Sequence, residues 1–448
     1  MSKIVFLGSK TKRYSGTDYE YRLYLLGIPI IIKKDTVARK FLKLFGIPVY
    51  YKVARYSLGE YIFFSFIKLL QPLFPKDTYI LTDNLYESSA SCIDTYTLFE
   101  YLKKNGFRCY YVLWKSNPFY NKLKEQKQLK NVIITKRNSL QSNELIYKLF
   151  FPLLRAKYTI LSFRNSFCSS LERFVYTNKY IYHVGIGHGP VLLKKSVLTT
   201  PYLSPRVWNL YLVSSDTEKS MFTKYGWPEK LLFNIGLPRF DCCRREPHKG
   251  KNIVIMFTWR LVSFREKNEE IKDSIYYKRF TSLLNNKELI NWAKMEGYNI
   301  IISIHHAFRD LCNFEFDIDE YYTVADSSNL VQYINTADLF ITDYSSIFHD
   351  FMFLNIPIIF YWLDYGDRWL SKLDYEDLEN CRECSNLLFN IFYSEEEVIS
   401  KIKYYIENDF QLENEYKLIE NRFFTEKENL CEKFTSKLQH YYESAKIR

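Results

Sequence analysis

The chain has 448 residues, 47% of them hydrophobic and 25% charged, enough to bury a core in each of two ordinary-sized domains and too apolar for a disordered chain. Sixty-two Lys and Arg against 51 Asp and Glu leave a formal charge of +11, which favours anionic partners such as phosphorylated substrates or lipid headgroups. No recognised nucleic-acid module appears, so nucleic-acid binding is not expected.

Residues 1–75 stand apart as an N-terminal extension. They contain an internal echo, Leu25-Leu26-Gly27-Ile28-Pro29-Ile30 and Leu44-Phe45-Gly46-Ile47-Pro48-Val49, each copy followed by lysine. Aromatic and basic residues around a Gly-x-Pro bend suit an element lying at a membrane surface. They equally suit two short hairpins covering the edge of the main domain. The apolar stretch 61–74 is interrupted by Lys68 and falls short of a bilayer span, and the run after Met1 is too short for a secretory signal. The nine cysteines are scattered, with one CxxC at Cys381 and Cys384, which fits free thiols better than a zinc site. The chain is expected to be cytosolic, or to lie on the cytoplasmic face of a membrane without crossing it.

From residue 78 short apolar strands alternate with helical segments. Strands are expected at 79–81, 109–114, 131–134, 158–161, 180–184, 210–213 and 233–236, with helices at 93–104 and 216–225. The charged stretch 241–251 reads as a linker, dividing one α/β domain (76–243) from a second (244–448). The second series has strands at 252–257, 299–304, 339–342 and 357–361, helices at 283–295 and 347–354, and a helical, charge-laced end from 395. This spacing implies parallel βαβ crossovers and two doubly wound halves facing a cleft, with ligands beyond the carboxyl ends of the strands.

Four strand ends carry candidate chemistry. Asp343-Tyr344-Ser345-Ser346 lies between an apolar strand and an apolar helix, bracketed by Asp338 and Asp350. A serine cap and the free amides of a first helical turn would receive a phosphate. His188, in Gly185-Ile186-Gly187-His188-Gly189-Pro190, has glycines on both sides and the near-neutral titration a general base needs. His305 and His306 end the 299–304 strand, where a histidine could stabilise charge on a phosphoryl oxygen. No carboxylate or cysteine lies at a matching spacing for a metal site, and none is expected. Thr258-Trp259-Arg260 and Gly236-Leu237-Pro238-Arg239, with Asp241, offer further hydroxyl and guanidinium donors for phosphate.

The order and spacing of these residues resemble the CDP-glycerol glycerophosphotransferase family of teichoic-acid and capsule synthesis, from about residue 79 to about 408. The resemblance rests on 214–241, on Phe257-Thr258-Trp259-Arg260, and above all on Ala337-Asp338-Leu339-Phe340-Ile341-Thr342-Asp343-Tyr344-Ser345-Ser346. It implies a GT-B-like fold, peripheral membrane attachment, a CDP-alditol donor and a membrane-linked or polymeric hydroxyl acceptor, with no cofactor beyond the donor. It also implies a catalytic pair at His188 and His305, and donor-phosphate contacts at Ser345 and Ser346 with Thr258 and Arg260 nearby. Where the family usually reads Trp-His-Gly-Thr-Pro, this chain reads Gly187-His188-Gly189-Pro190-Val191; its His305-His306 stands where His-Pro is usual. The same fold would also serve a nucleotide-sugar glycosyltransferase, and a scaffold of a polysaccharide assembly complex needs no catalysis at all.

Overall fold

The structure is a computed structural model. It describes residues 7–13, 19–25, 28–35, 39–44, 47–53, 58–82, 92–115, 117–135, 147–162, 171, 174–175, 177–187, 189–191, 198, 205–246, 250–258, 260, 272–304, 322–325, 330–367 and 390–446. His188, Trp259, His305, His306 and the CxxC lie outside the described residues.

The N-terminal extension begins with five strands: β1 (Leu7–Arg13), β2 (Tyr19–Leu25), β3 (Ile28–Asp35), β4 (Arg39–Leu44) and β5 (Ile47–Val53). They form one antiparallel meander in sequence order, larger than the two hairpins the echo suggests. The echo is nonetheless visible in the register, because Leu25 pairs with Ile28 and Leu44 with Ile47. Proline cannot donate to a ladder, and the pairing shifts next to Pro29 (between Leu23 and Tyr24) and next to Pro48 (between Leu42 and Lys43). Helix α1 (Leu58–Leu70) follows.

The first half is a seven-stranded parallel sheet. Its elements are β6 (Thr78–Thr82), α2 (Cys92–Lys104), β7 (Arg108–Trp114), α3 (Pro118–Glu125), β8 (Val132–Thr135), α4 (Phe150–Arg155), β9 (Ala156–Leu161), β10 (Tyr182–Gly185), β11 (Leu210–Val213), α5 (Asp216–Lys224) and β12 (Leu232–Asn234). The spatial order is β12-β11-β10-β9-β6-β7-β8. Every side chain of β6 and β11 is buried, as expected of strands covered by helices on both faces.

The second half repeats the plan with six parallel strands. They are β13 (Asn252–Met256), β14 (Asn299–Ser303), β15 (Tyr322–Ala325), β16 (Ala337–Thr342), β17 (Ile358–Tyr361) and β18 (Ile391–Phe392), in the order β15-β14-β13-β16-β17-β18. The helix expected at 283–295 is two, α6 (Ile275–Leu284) and α7 (Lys287–Glu296), because the Asn286 side chain caps the second one. After α8 (Leu330–Asn335) and α9 (Phe348–Phe353), the helical end is likewise three helices, α10 (Glu395–Glu407), α11 (Asn414–Phe423) and α12 (Leu430–Lys446).

The closing helix returns to the first half. Asp241 caps α12 from a distance in sequence, its carboxylate accepting from Leu430 N–H and Cys431 N–H at 2.8 Å each. The Tyr158 hydroxyl donates to Leu438 O at 3.1 Å, and Tyr442 stacks edge-on to Tyr158 and Tyr182. One hydrophobic core spans both halves, and Phe240 lies flat on Phe353 with centroids 4.2 Å apart. The stretch read as a linker, 241–251, therefore starts inside the fold, with Asp241 capping α12 and Cys243 buried.

Candidate active site

Parallel strands deliver their carboxyl ends to one side of each sheet, and the turns that follow β10, β13, β16 and β17 hold the functional side chains. Asp343, at the end of β16, is fully buried. Its carboxylate accepts from Thr258 N–H at 2.9 and 3.1 Å, from Thr258 Oγ1–H at 2.9 Å, and from Ser345 N–H at 3.2 Å. It thus ties the turn after β13 to the turn after β16.

Arg260 completes this network. Its guanidinium takes Asp364 in a two-pronged pair, 2.6 Å on each prong, and reaches Asp343 Oδ2 at 2.8 Å and Thr258 O at 2.7 Å. The rings of Tyr276 and Tyr344 lie 4.6 and 4.8 Å from the guanidinium carbon. Burial disfavours the charge, but Asp364 and Asp343 outweigh it and hold Arg260 protonated well above the ordinary arginine range.

Thr258, Arg260 and Asp343, which the sequence aims at a phosphate, are tied to one another in the structure. Asp343 can only accept, Thr258 directs its amide and hydroxyl at Asp343, and Arg260 has its donors on carboxylates and a carbonyl. Arg239 is displaced from the expected role in the same way. It is buried, paired through Nε and Nη2 with Asp350 on α9 at 2.6 and 2.8 Å, and bound through Nη1 to Asp94 on α2. It therefore clamps the first half to the second.

The serines differ from expectation in detail. The helix after them starts at Phe348, preceded by Ile347 with no side-chain cap. Ser345 and Ser346 sit in the turn before it, where their carbonyls accept from Phe348 N–H at 3.1 Å and His349 N–H at 3.3 Å. The buried His349 donates through Nδ1 to Ser346 O at 3.0 Å, which fixes its tautomer. Ser345 is buried and Ser346 half-buried.

Across from this turn stands the one that carries His188. Gly187 has φ +70°, a left-handed conformation that glycine adopts freely. A β-carbon placed on Gly189 would stand 3.1 Å from Ser346 Oγ, so the two turns meet. The His188 turn is tied at both ends, by Ile186 N–H to Leu161 O at 2.8 Å and by Val191 N–H to the carboxylate of Glu218 at 2.8 Å. Glu218, Asp364 and Asp94 are the partners that sequence reading passed over.

With this geometry in place, comparison with known proteins decides the family. The family model described as CDP-Glycerol:Poly(glycerophosphate) glycerophosphotransferase matches residues 65–429. The chain belongs to that family. Among curated relatives, the minor teichoic acid biosynthesis protein GgaB of Bacillus subtilis (strain 168) is 28% identical over 217 residues, 46% of this chain and 23% of that protein. The teichoic acid glycerol-phosphate primase of the same organism is 30% identical over 160 residues, 34% of this chain and 39% of that protein. The chain thus spans less than half the length of these relatives. A solved structure of the wall teichoic acid polymerase TagF superposes with TM-score 0.55 at 15% identity, over 87% of this chain and all of that one. That likeness bears out the expected two-domain, GT-B-like fold of the glycerophosphotransferase family.

Proposed function

We propose that the chain transfers glycerol phosphate, or a related alditol phosphate, from a CDP-activated donor to a hydroxyl on a growing teichoic-acid or capsule polymer, with release of CMP. The observation that carries this reading is the meeting of Gly189 with Ser346. It sets the strand-end turn bearing the only histidine flanked by two glycines against the turn best placed to receive a phosphate.

In this reading the acceptor hydroxyl gives its proton to the His188 imidazole as its oxygen attacks the β-phosphorus. The new P–O bond forms as the bond to the CMP oxygen breaks, and CMP leaves as an anion. Ser345 and Ser346 hold the donor phosphates through their hydroxyls, and His305 offsets charge on the transferring group. The Thr258–Asp343–Arg260–Asp364 network holds these donors still, which is where most of the acceleration in phosphoryl transfer originates.

The proposed acceptor is membrane-linked or polymeric, and two features support a membrane surface as partner. Residues 1–57 hold twelve Lys and Arg against three Asp and Glu, nine of the chain's eleven surplus charges. Next to them, α1 turns Ile62, Phe66 and Leu69 outward, continued by Leu73 and by Phe151 on α4, with Lys68 and Lys148 exposed beside them. An exposed apolar stripe beside basic residues suits the headgroup region of an anionic leaflet. Among the described residues no helix is long and apolar enough to cross a membrane.

Donor-dependent CMP release by the purified chain, supplied with CDP-glycerol and a glycerol-phosphate acceptor, tests the function. His188→Ala should lower it by about 100- to 10,000-fold, leaving a measurable residual rate, and a full rate in that variant would overturn the role of His188.

A further inference from the structure

The spacing Ser215-x-x-Glu218 is that of a capping box, in which the glutamate folds back onto the amide of its own N-cap residue. The same spacing occurs at Ser394-x-x-Glu397, and there both bonds of the box form, with Glu397 exposed. Ser215 keeps its half, its Oγ accepting from Glu218 N–H at 3.1 Å. Glu218 does not keep the other. Its carboxylate turns inward, buried, and accepts from Ser214 N–H at 2.7 Å, Ser214 Oγ–H at 2.8 Å and Val191 N–H at 2.8 Å.

Burying a carboxylate costs several kcal/mol before its hydrogen bonds repay it, and an exposed box would cap α5 without that cost. Burial does push the Glu218 carboxyl above the ordinary glutamate range, with the three donors pulling it back. The geometry that this cost maintains is a bridge from the end of β11 to Val191. Val191 lies three residues after His188 and two after Gly189, whose Cα faces Ser346. The entry of the same turn is already fixed by the bond from Ile186 to Leu161.

We propose that Glu218 is a positioning residue that fixes the exit of the 187–190 turn and, through it, both the aim of His188 and the closure of Gly189 on Ser346. The proposal rests on the reading of His188 as the general base. Glutamine is the informative replacement: it keeps the volume but presents one acceptor oxygen and an NH2 group, so either Val191 N–H or Ser214 N–H faces another donor.

In the full-length chain, Glu218→Gln should lower kcat for CMP release from CDP-glycerol by about 30- to 100-fold per folded molecule, the scale of a 1 Å misplacement, with the donor KM nearly unchanged. Combined with His188→Ala it should add nothing further. Glu397→Gln, in the ordinary box, should leave kcat alone. Hydrogen exchange of the peptide covering 186–191 should speed up in Glu218→Gln, a readout that needs no activity. If Glu218→Gln does not fold, Ser214→Ala, which removes one of the three donors, should show a smaller loss of kcat in the same direction.

An unchanged kcat per folded molecule, a full additional loss on the His188→Ala background, or unaltered exchange at 186–191 overturns the proposal. Absence of CMP release from the unmodified chain overturns the proposed function instead, and the exchange measurement then decides whether Glu218 holds the turn.

Discussion

Gly189 and Ser346 are 157 positions apart in the sequence, yet a β-carbon on the first would stand 3.1 Å from Oγ and 3.5 Å from Cβ of the second. Gly189 also has φ +154°, at the edge of the region that other residues rarely enter. Alanine there would have to push the two turns apart by a few tenths of an ångström or twist the backbone. We expect Gly189→Ala to reduce CMP release by about 10- to 100-fold, since reacting groups held apart lose rate steeply. The melting temperature should move little, because both turns lie outside the strands. Steady-state kinetics beside a thermal melt separates the two effects, and an unchanged rate would mean that the turns need not close to react.

Arg260 tests a different distinction, between contacting the phosphate and holding what contacts it. Lysine in its place keeps a charge but cannot pair with Asp364 on two prongs, and it lacks the guanidinium whose carbon lies 4.6 and 4.8 Å from the rings of Tyr276 and Tyr344. Leaving a buried carboxylate short of its partner costs about 3–5 kcal/mol. Arg260→Lys should therefore lower the unfolding midpoint and raise the donor KM together, through the loosened Thr258–Asp343–Ser345 links. A variant with normal stability and only weakened donor binding would instead identify Arg260 as a direct phosphate ligand.

Much of this arrangement is legible in the sequence because strands buried on both faces must be nearly continuous in apolar residues, so their ends stand out. That is why Thr258, Asp343 and the two serines are visible as strand-end groups. The role each plays is set by partners far away in the chain. Asp364 sits in an aromatic turn, Asp94 inside a helix and Glu218 at an ordinary capping position, and nothing local marks them as the acceptors for Arg260, Arg239 and Val191. Local chemistry also hides where a helix breaks: the Asn285-Asn286 pair divides α6 from α7 only because Asn286 turns to cap the second. The N-terminal echo shows hairpins, while the five-stranded meander depends on cross-strand pairing that no single copy contains.

The outward stripe of α1 gives a prediction about location. Phe66 and Leu69 are exposed although their neighbours Phe64 and Ile67 are buried, so charge there costs the fold little. Phe66→Glu with Leu69→Glu should abolish co-sedimentation with vesicles containing anionic lipid while leaving the melting temperature and the rate on a soluble acceptor nearly intact. Undiminished vesicle binding would move the membrane contact elsewhere on the chain.

Two buried histidines make the fold sensitive to mild acid. His183 stacks on Trp208 with centroids 4.5 Å apart, and its Nδ1 lies 2.9 Å from Thr159 Oγ1. His349 lies among Phe348, Phe423 and Phe424 with Nδ1 on Ser346 O. In both, Nε2 is buried without a hydrogen-bond partner. Burial lowers each to about 3, and for His349 the nearby Arg239 adds to the effect against the bond to Ser346. The unfolded chain takes up these protons near pH 6.5 while the folded chain does not, so stability is complete above that value and falls as pH drops from about 6.5 toward 3. Each histidine contributes a slope of up to about 1.4 kcal/mol per pH unit in that window. Urea unfolding between pH 7.5 and 5, above the range where most carboxylates titrate, should show this loss, and His349→Phe should reduce the slope by about half. Stability that stays flat down to pH 5 would mean that both imidazoles are protonated inside the fold.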